Sequence, residues 1–199
     1  MKLETRRIWD PLLGFALFLA CTSCSDPEIA IVDYEPPARA VGVPSTTWNL
    51  VIEQHIEGEN LVDIIDAAQA WERALVATCP ITFSVERAPV NDELPLDTHT
   101  ITVRLADPTT ELADGSMGHT FWRDPADRGA RIILARTNSN PVVRRDFRIS
   151  ARHELGHAFR IQHQPTGVMS GDALPKDGTG ITEADVDAYL EVHCPGLAR

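Results

Sequence analysis

A basic surface is the first thing this chain lacks. Its 18 Lys and Arg stand against 29 Asp and Glu, a formal net charge of −11 over 199 residues. That balance argues against nucleic acid as a partner. It also lacks an apolar run long enough to span a bilayer, since the stretch Pro11 to Ala20 (PLLGFALFLA) has only ten residues. No internal repeat is evident, and Asp107, Asp114, Asp124 and Asp127 fall in no EF-hand spacing, so no calcium site is read. Cysteines are few: Cys21, Cys24, Cys79 and Cys194. What the chain does have is 43% hydrophobic residues, enough for one compact core and too short a chain for two comfortable domains.

The N-terminus reads as an export signal. Lys2, Arg6 and Arg7 precede the apolar run, and small residues and cysteines follow it. The stretch FLACTSC is similar to a bacterial lipobox, with Cys21 the favoured lipidation candidate and Cys24 the alternative. Residues 1–24 are therefore expected to be signal peptide or lipobox. Residues 25–45, acidic and bearing prolines, are expected to be a tether or a short propeptide. The expected location is the bacterial cell envelope through a lipid anchor, or secretion. In such a compartment Cys79 and Cys194 are expected to pair, closing a loop of over a hundred residues.

Chemistry concentrates in His153 to His163, which read HELGHAFRIQH. On a helix His153 and His157 lie one turn apart, so their imidazoles can meet on one cation. A catalytic zinc takes about three protein ligands and keeps a position for water, whose pKa it lowers to about 7. Glu154 is placed to take that proton and pass it to a leaving amine. His163 lies six residues after His157. Continued helix would put it roughly 120° around and about 9 Å further along, too far to share the metal. The helix must therefore stop between them, and metal-binding families with a third histidine at this spacing turn the chain back at a midway residue of positive φ, ordinarily glycine. Here that residue is Arg160, at a cost of about 1 to 2 kcal/mol. Met169 follows a turn at Pro165 to Gly167, where its thioether can pack beneath the histidines.

HELGHAFRIQH followed by VMSGD resembles the metzincin metalloproteases, whose pattern is HExxHxxGxxH plus a Met-turn; Arg160 in place of glycine is the one mismatch. The resemblance implies that His153, His157 and His163 bind Zn2+, that Glu154 is the general base and that Met169 is the Met-turn residue. It also implies an α+β catalytic domain over residues 46–199: a mixed twisted sheet, a long first helix, a zinc-binding helix and a C-terminal helix. The order of elements favours the matrixin-like branch. Strands are expected at Trp48 to Ile56, Ile81 to Val85, Thr100 to Leu105 and Ala130 to Ala135. Helices are expected at Leu61 to Thr78 behind an Asn60 cap, from Asn140 and Pro141 through the motif, and at Thr182 to Val192 behind a Thr182 cap.

The activity implied is that of a zinc endopeptidase, a monomer acting on peptide or protein substrates outside the cytoplasm. A substrate would add as a strand near Arg131 to Leu134, with Val168 to Gly178 walling the pocket beyond the scissile bond. His119 is read as a loop histidine near the cleft, because the partners of a matrixin structural zinc are missing; His55, His99 and His193 are read as surface or strand residues. Three alternatives stay open. Glu183, with Asp187, could supply the third ligand in place of His163; the chain could be a peptidoglycan amidase; or it could be a surface binding module with a decayed site. An intact Glu154 argues against the last.

Overall fold

The computed structural model describes residues 45–91, 93, 95, 97–107, 112, 116–122, 129–136, 141–171 and 180–197, the first six residues of the 141–171 segment by backbone alone. The expected signal, Cys21, Cys24 and nearly all of the expected linker lie outside the described residues, as do Asn140 and residues 172–178 of the expected pocket wall.

Eight elements follow one another: β1 (Thr46–Glu53), α1 (Gly58–Leu75), β2 (Ile81–Ala88), β3 (Thr100–Leu105), β4 (Gly118–Phe121), β5 (Ala130–Leu134), α2 (Pro141–Ala158) and α3 (Glu183–His193). The strands form one sheet in the order β2-β1-β3-β5-β4. β2, β1, β3 and β5 run parallel, and β4 pairs antiparallel with β5 on the outside. This is the α+β fold with a mixed sheet and three helices that the sequence predicts.

Period-two alternation builds the sheet's inner face. Trp48, Leu50 and Ile52 of β1, Ile101, Val103 and Leu105 of β3, and Ala130, Ile132 and Leu134 of β5 are all buried. Helical spacing supplies the layer that covers them, through Ile64, Ala67, Ala68, Trp71 and Leu75 of α1 and Phe147, Ala151 and Leu155 of α2. Just past the end of α2, Phe159 is fully buried, with ring centroids 5.1 Å from Trp48, 5.4 Å from Trp71 and 5.4 Å from Tyr189. One aromatic thus joins β1, α1 and α3 beneath the histidine motif.

Polar contacts fix the rotation of α2 on α1. Arg148 donates from Nε and Nη2 to Asp63 Oδ1 at 3.1 and 3.0 Å, and Asp63 is 1% exposed. Arg152 donates to Asp66 Oδ2 at 2.7 Å, while its carbonyl accepts from Trp71 Nε1 at 2.9 Å. A buried carboxylate left without its guanidinium would be costly, so these pairs specify one orientation of the two helices. With α2 so rotated, His153 and His157 face away from α1. Cys79, just after α1, is bonded to Cys194, just after α3, with Cα atoms 6.4 Å apart. Among the described residues no helix is long and apolar enough to cross a membrane.

Four expectations are corrected. β1 ends at Glu53, and Ile56 is buried beyond the strand. α1 starts at Gly58 rather than after Asn60, because Gly58 takes a φ of +58° that turns the chain into the helix. β2 runs on to Ala88. Most consequential, β4 was not legible in GSMGHTFW, whose glycines and short length hide a strand. His119 therefore lies on β4, not in a loop, and Arg131 to Leu134 belong to β5, inside the sheet. Among the described residues, the sheet edge beside α2 is β4.

Candidate metal centre

α2 carries His153 and His157 one turn apart with their rings 4.5 Å apart, centroid to centroid. His163 joins them at 5.2 and 4.8 Å. One nitrogen from each ring can be chosen such that all three lie within 4.8 Å of one another. Among the described residues this is the only group of three His, Cys, Asp or Glu side chains so placed. Glu183 and Asp187, the alternative source of a third ligand, are not part of it.

The chain reaches this arrangement by a left-handed helix end. Arg160 has φ +67°. Its N–H donates to the His157 carbonyl at 2.8 Å, and that of Ile161 donates to the Gly156 carbonyl at 3.1 Å. These two bonds form a Schellman closure, which satisfies carbonyls that the helix end would otherwise orphan. Two contacts accompany the strained backbone. The guanidinium of Arg160 sits 4.9 Å from the centroid of the Trp122 ring, a cation–π contact of about 0.5 to 2 kcal/mol. Trp122 in turn meets the His157 ring edge-on at 6.4 Å.

Backbone carbonyls fix two of the imidazoles. His153 Nδ1 donates to Val168 O at 2.7 Å and His157 Nδ1 to Ile161 O at 2.8 Å. A carbonyl can only accept, so each Nδ1 carries the proton and each Nε2 offers a lone pair. Burial then pushes both pKa values down, His157 from 6.5 to about 4 with the neighbouring His153 as the second cause. These two rings are therefore neutral at pH 7, the form that binds metal. His157 Nε2 and His163 Nε2 lie 3.1 Å apart. Nitrogens about 2.0 to 2.1 Å from a tetrahedral zinc would be separated by roughly 3.3 Å, so the His157–His163 pair lies near that spacing, and three imidazoles are a donor set whose chemistry fits zinc.

Beneath the imidazoles lies the turn that holds Val168. Gly167 has φ +83°, and a Cβ there would fall 2.2 Å from Asp185 Oδ2. Asp185 is fully buried and accepts from Val168 N, Met169 N, Thr182 N and Thr182 Oγ1 at 3.1, 3.1, 2.7 and 2.8 Å. It completes a capping box with Thr182 at the start of α3 and clamps the turn to that helix. Met169 is fully buried against α2, where a Cβ on Gly156 would fall 2.1 Å from its sulfur. Gly171 performs a similar service for His163, since a Cβ there would lie 3.2 Å from Nδ1.

Glu154 points the other way from its helix, toward β4. It is 6% exposed, and its Oε2 accepts from Thr120 Oγ1 at 2.6 Å. A Cβ on Gly118 would fall 2.7 Å from Glu154 Cγ, so only glycine leaves room for the side chain on this strand. Burial raises the Glu154 pKa, opposed by the Thr120 hydrogen bond and by the nearby charge of His119. A carboxyl with raised pKa beside neutral imidazoles is suited to take up a proton and release it. His119 itself is bonded to Ser116 Oγ through Nε2 at 2.8 Å.

The structure brings together His153, His157 and His163, beside Glu154 and above Met169, all of which the sequence singles out; Asp185, Gly118 and Thr120 are not among the residues it singles out. The Thr182-x-x-Asp185 spacing signals a helix cap in the sequence, but not that its carboxylate also grips the turn at Val168 and Met169. Gly118 and Thr120 belong to the strand that was missed.

No family model and no curated protein matches the sequence. Solved structures do match the fold. Metalloproteinase-II from Bacteroides fragilis is 14% identical with a TM-score of 0.50, over 78% of this chain and 55% of that one. The chain thus spans about half the length of that protein. Archaemetzincin from Methanopyrus kandleri is 13% identical with a TM-score of 0.48, over 73% of this chain and 94% of that one. At that identity the first likeness is one of fold.

Two predictions follow from the helix end and the neutral imidazoles. Arg160→Gly removes the left-handed cost and the Trp122 contact together, so zinc content stays at wild-type level and stability changes by about 1 kcal/mol or less. Arg160→Val places a β-branched residue at the same φ and lowers zinc affinity at least about tenfold; chelator competition on both variants reads this, and a valine variant that binds like wild type contradicts it. The second concerns acid. His157 has a folded pKa below its unfolded value, so the unfolded chain binds more protons between about 6.5 and about 4. Its contribution to stability is complete above 6.5 and is lost as pH falls toward 4. Thermal melts of the metal-free chain across that range should show this slope, and His157→Gln should flatten it; an unchanged slope contradicts the assignment.

Proposed function

We propose that the chain is a zinc-dependent endopeptidase of the metzincin class, matrixin-like in the order of its elements, acting on peptides or proteins outside the cytoplasm. The observation that carries this reading is the convergence of His153, His157 and His163 one residue away from a buried carboxyl, Glu154, with a raised pKa. Zinc, when bound by the three imidazoles, would supply Lewis acidity toward a carbonyl oxygen and lower the pKa of water.

The chain's own residues would do the rest. β4 offers its free edge beside Glu154, so an extended peptide would add there as a strand and present its scissile carbonyl to the histidines. Glu154 would take the proton of the attacking water and deliver it to the departing amine, which requires a carboxyl able to hold a proton near neutral pH. Neutral His153 and His157 would not compete for that proton. The Cys79–Cys194 bond supports an oxidising compartment, in line with the export signal read at the N-terminus. Lipid anchoring at Cys21 and a monomeric state complete the proposal.

The test is a diverse peptide library offered to the purified zinc-loaded chain. Cleavage is expected for wild type, with a loss of at least about a thousandfold for Glu154→Gln at unchanged zinc content. Equal inertness of the two proteins, each with zinc bound, sinks the peptidase reading and favours a binding module.

A further inference from the structure

We infer that Thr120 is a positioning residue for Glu154, an inference that rests on the peptidase reading above. The edge strand is shaped around this one carboxyl. Gly118 and Thr120 are two apart on β4 and so share a face. That face is turned to α2, because a Cβ at Gly118 would lie 2.7 Å from Glu154 Cγ and 3.1 Å from its Cδ. Gly118 is the floor on which the glutamate lies. Thr120 is the tether at its end, with Oγ1 2.6 Å from Oε2 and 3.0 Å from the Glu154 backbone carbonyl.

The length and setting of the first contact matter. At 2.6 Å an O–H···O bond is in the charge-assisted range, stronger than a neutral pair. Glu154 is buried and Thr120 half-buried, and an unmade bond to a buried carboxylate is expensive. The hydroxyl engages one oxygen only, and no donor among the described residues reaches Oε1. Thr120 therefore fixes the plane of the carboxylate by one oxygen and leaves the other for the proton in transit. A carboxyl free to rotate would spend most of its time away from the productive geometry, and orientation of this kind is a large part of a catalytic advantage. The Glu154 carbonyl, 3.0 Å from the same hydroxyl, shares its single proton as the weaker acceptor of a bifurcated bond, which adds a minor tie between β4 and α2 at the same residue.

The experiment uses the full zinc-loaded chain and a library peptide that wild type cleaves. Thr120→Val keeps the shape and removes the hydroxyl; kcat is expected to fall about 10- to 100-fold, the range for loss of a hydrogen bond to a charged group, with KM within about twofold. Thr120→Ser restores the hydroxyl and should recover kcat to within about threefold of wild type. Thr120→Ala carries the same expectation as valine if the valine variant does not fold. An infrared readout on metal-free protein is independent of turnover: the carboxylate band that disappears in Glu154→Gln should shift in Thr120→Val and stay in place in Thr120→Ser. Wild-type kcat or an unshifted band in Thr120→Val overturns the inference while the peptidase reading stands. An equal loss in the valine and serine variants overturns it as well, since the hydroxyl is then not the cause. A zinc-loaded wild type that cleaves nothing removes the peptidase reading and this role with it.

Discussion

A left-handed residue, Arg160, two residues past the end of α2, sends the chain back, bringing His163 Nε2 to 3.1 Å from His157 Nε2. The rest of the centre depends on that reversal. Two histidines on one helix face are a common arrangement, and without a third ligand they hold a metal weakly. The reversal is also what places the Ile161 carbonyl on His157 Nδ1, so one backbone conformation both recruits a ligand and sets the tautomer of another. An arginine in this conformation is strained by about 1 to 2 kcal/mol. The Schellman bonds and the Trp122 stack offset it, and Trp122 comes directly after the strand that seats Glu154.

A second constraint works from below. Asp185 is buried at the start of α3, and its four hydrogen bonds are divided between the helix cap and the turn at Val168 and Met169. The Val168 carbonyl then holds His153. Position is thus passed from a helix cap through a turn to an imidazole. The same chain of contacts explains the glycines at 156 and 167, where a Cβ would collide with Met169 and Asp185, and Gly171 lies where a Cβ would press on His163. Ion pairs from α2 to α1 and the aromatic packing of Phe159 keep the other side of the helix fixed. The cleft side is left to chemistry.

Much of this was legible in the sequence because it is local. HELGHAFRIQH encodes the spacing of the ligands and the need for a break before His163, while the place of that break at Arg160 comes from the resemblance to the metzincin pattern. The elements with clear period, β1, α1, β3, β5 and α2, lie near their expected positions, and Cys79 and Cys194 are paired as expected. What escaped depends on residues distant in the chain. β4 is four residues long with a glycine at its start, and nothing in its pattern distinguishes it from a loop. It becomes a strand because β5 supplies the antiparallel partner and α2 covers one face. With β4 hidden in the pattern, Arg131 to Leu134 read as a sheet edge although β4 lies outside them, and the contacts of Gly118 and Thr120 with Glu154, 34 residues away for the threonine, are not legible. Asp185 escaped for a related reason. Its capping role is a local signal, whereas its grip on Val168 is visible only once α3 packs beneath the turn.

The central claim is that one zinc ion is held by His153, His157 and His163. Anomalous diffraction at the zinc edge from crystals of the zinc-loaded chain tests it most directly. The predicted result is a single peak about 2.0 to 2.1 Å from one ring nitrogen of each of the three histidines. A peak coordinated by His153 and His157 with Glu183 in place of His163, or no peak at the cluster, would contradict it.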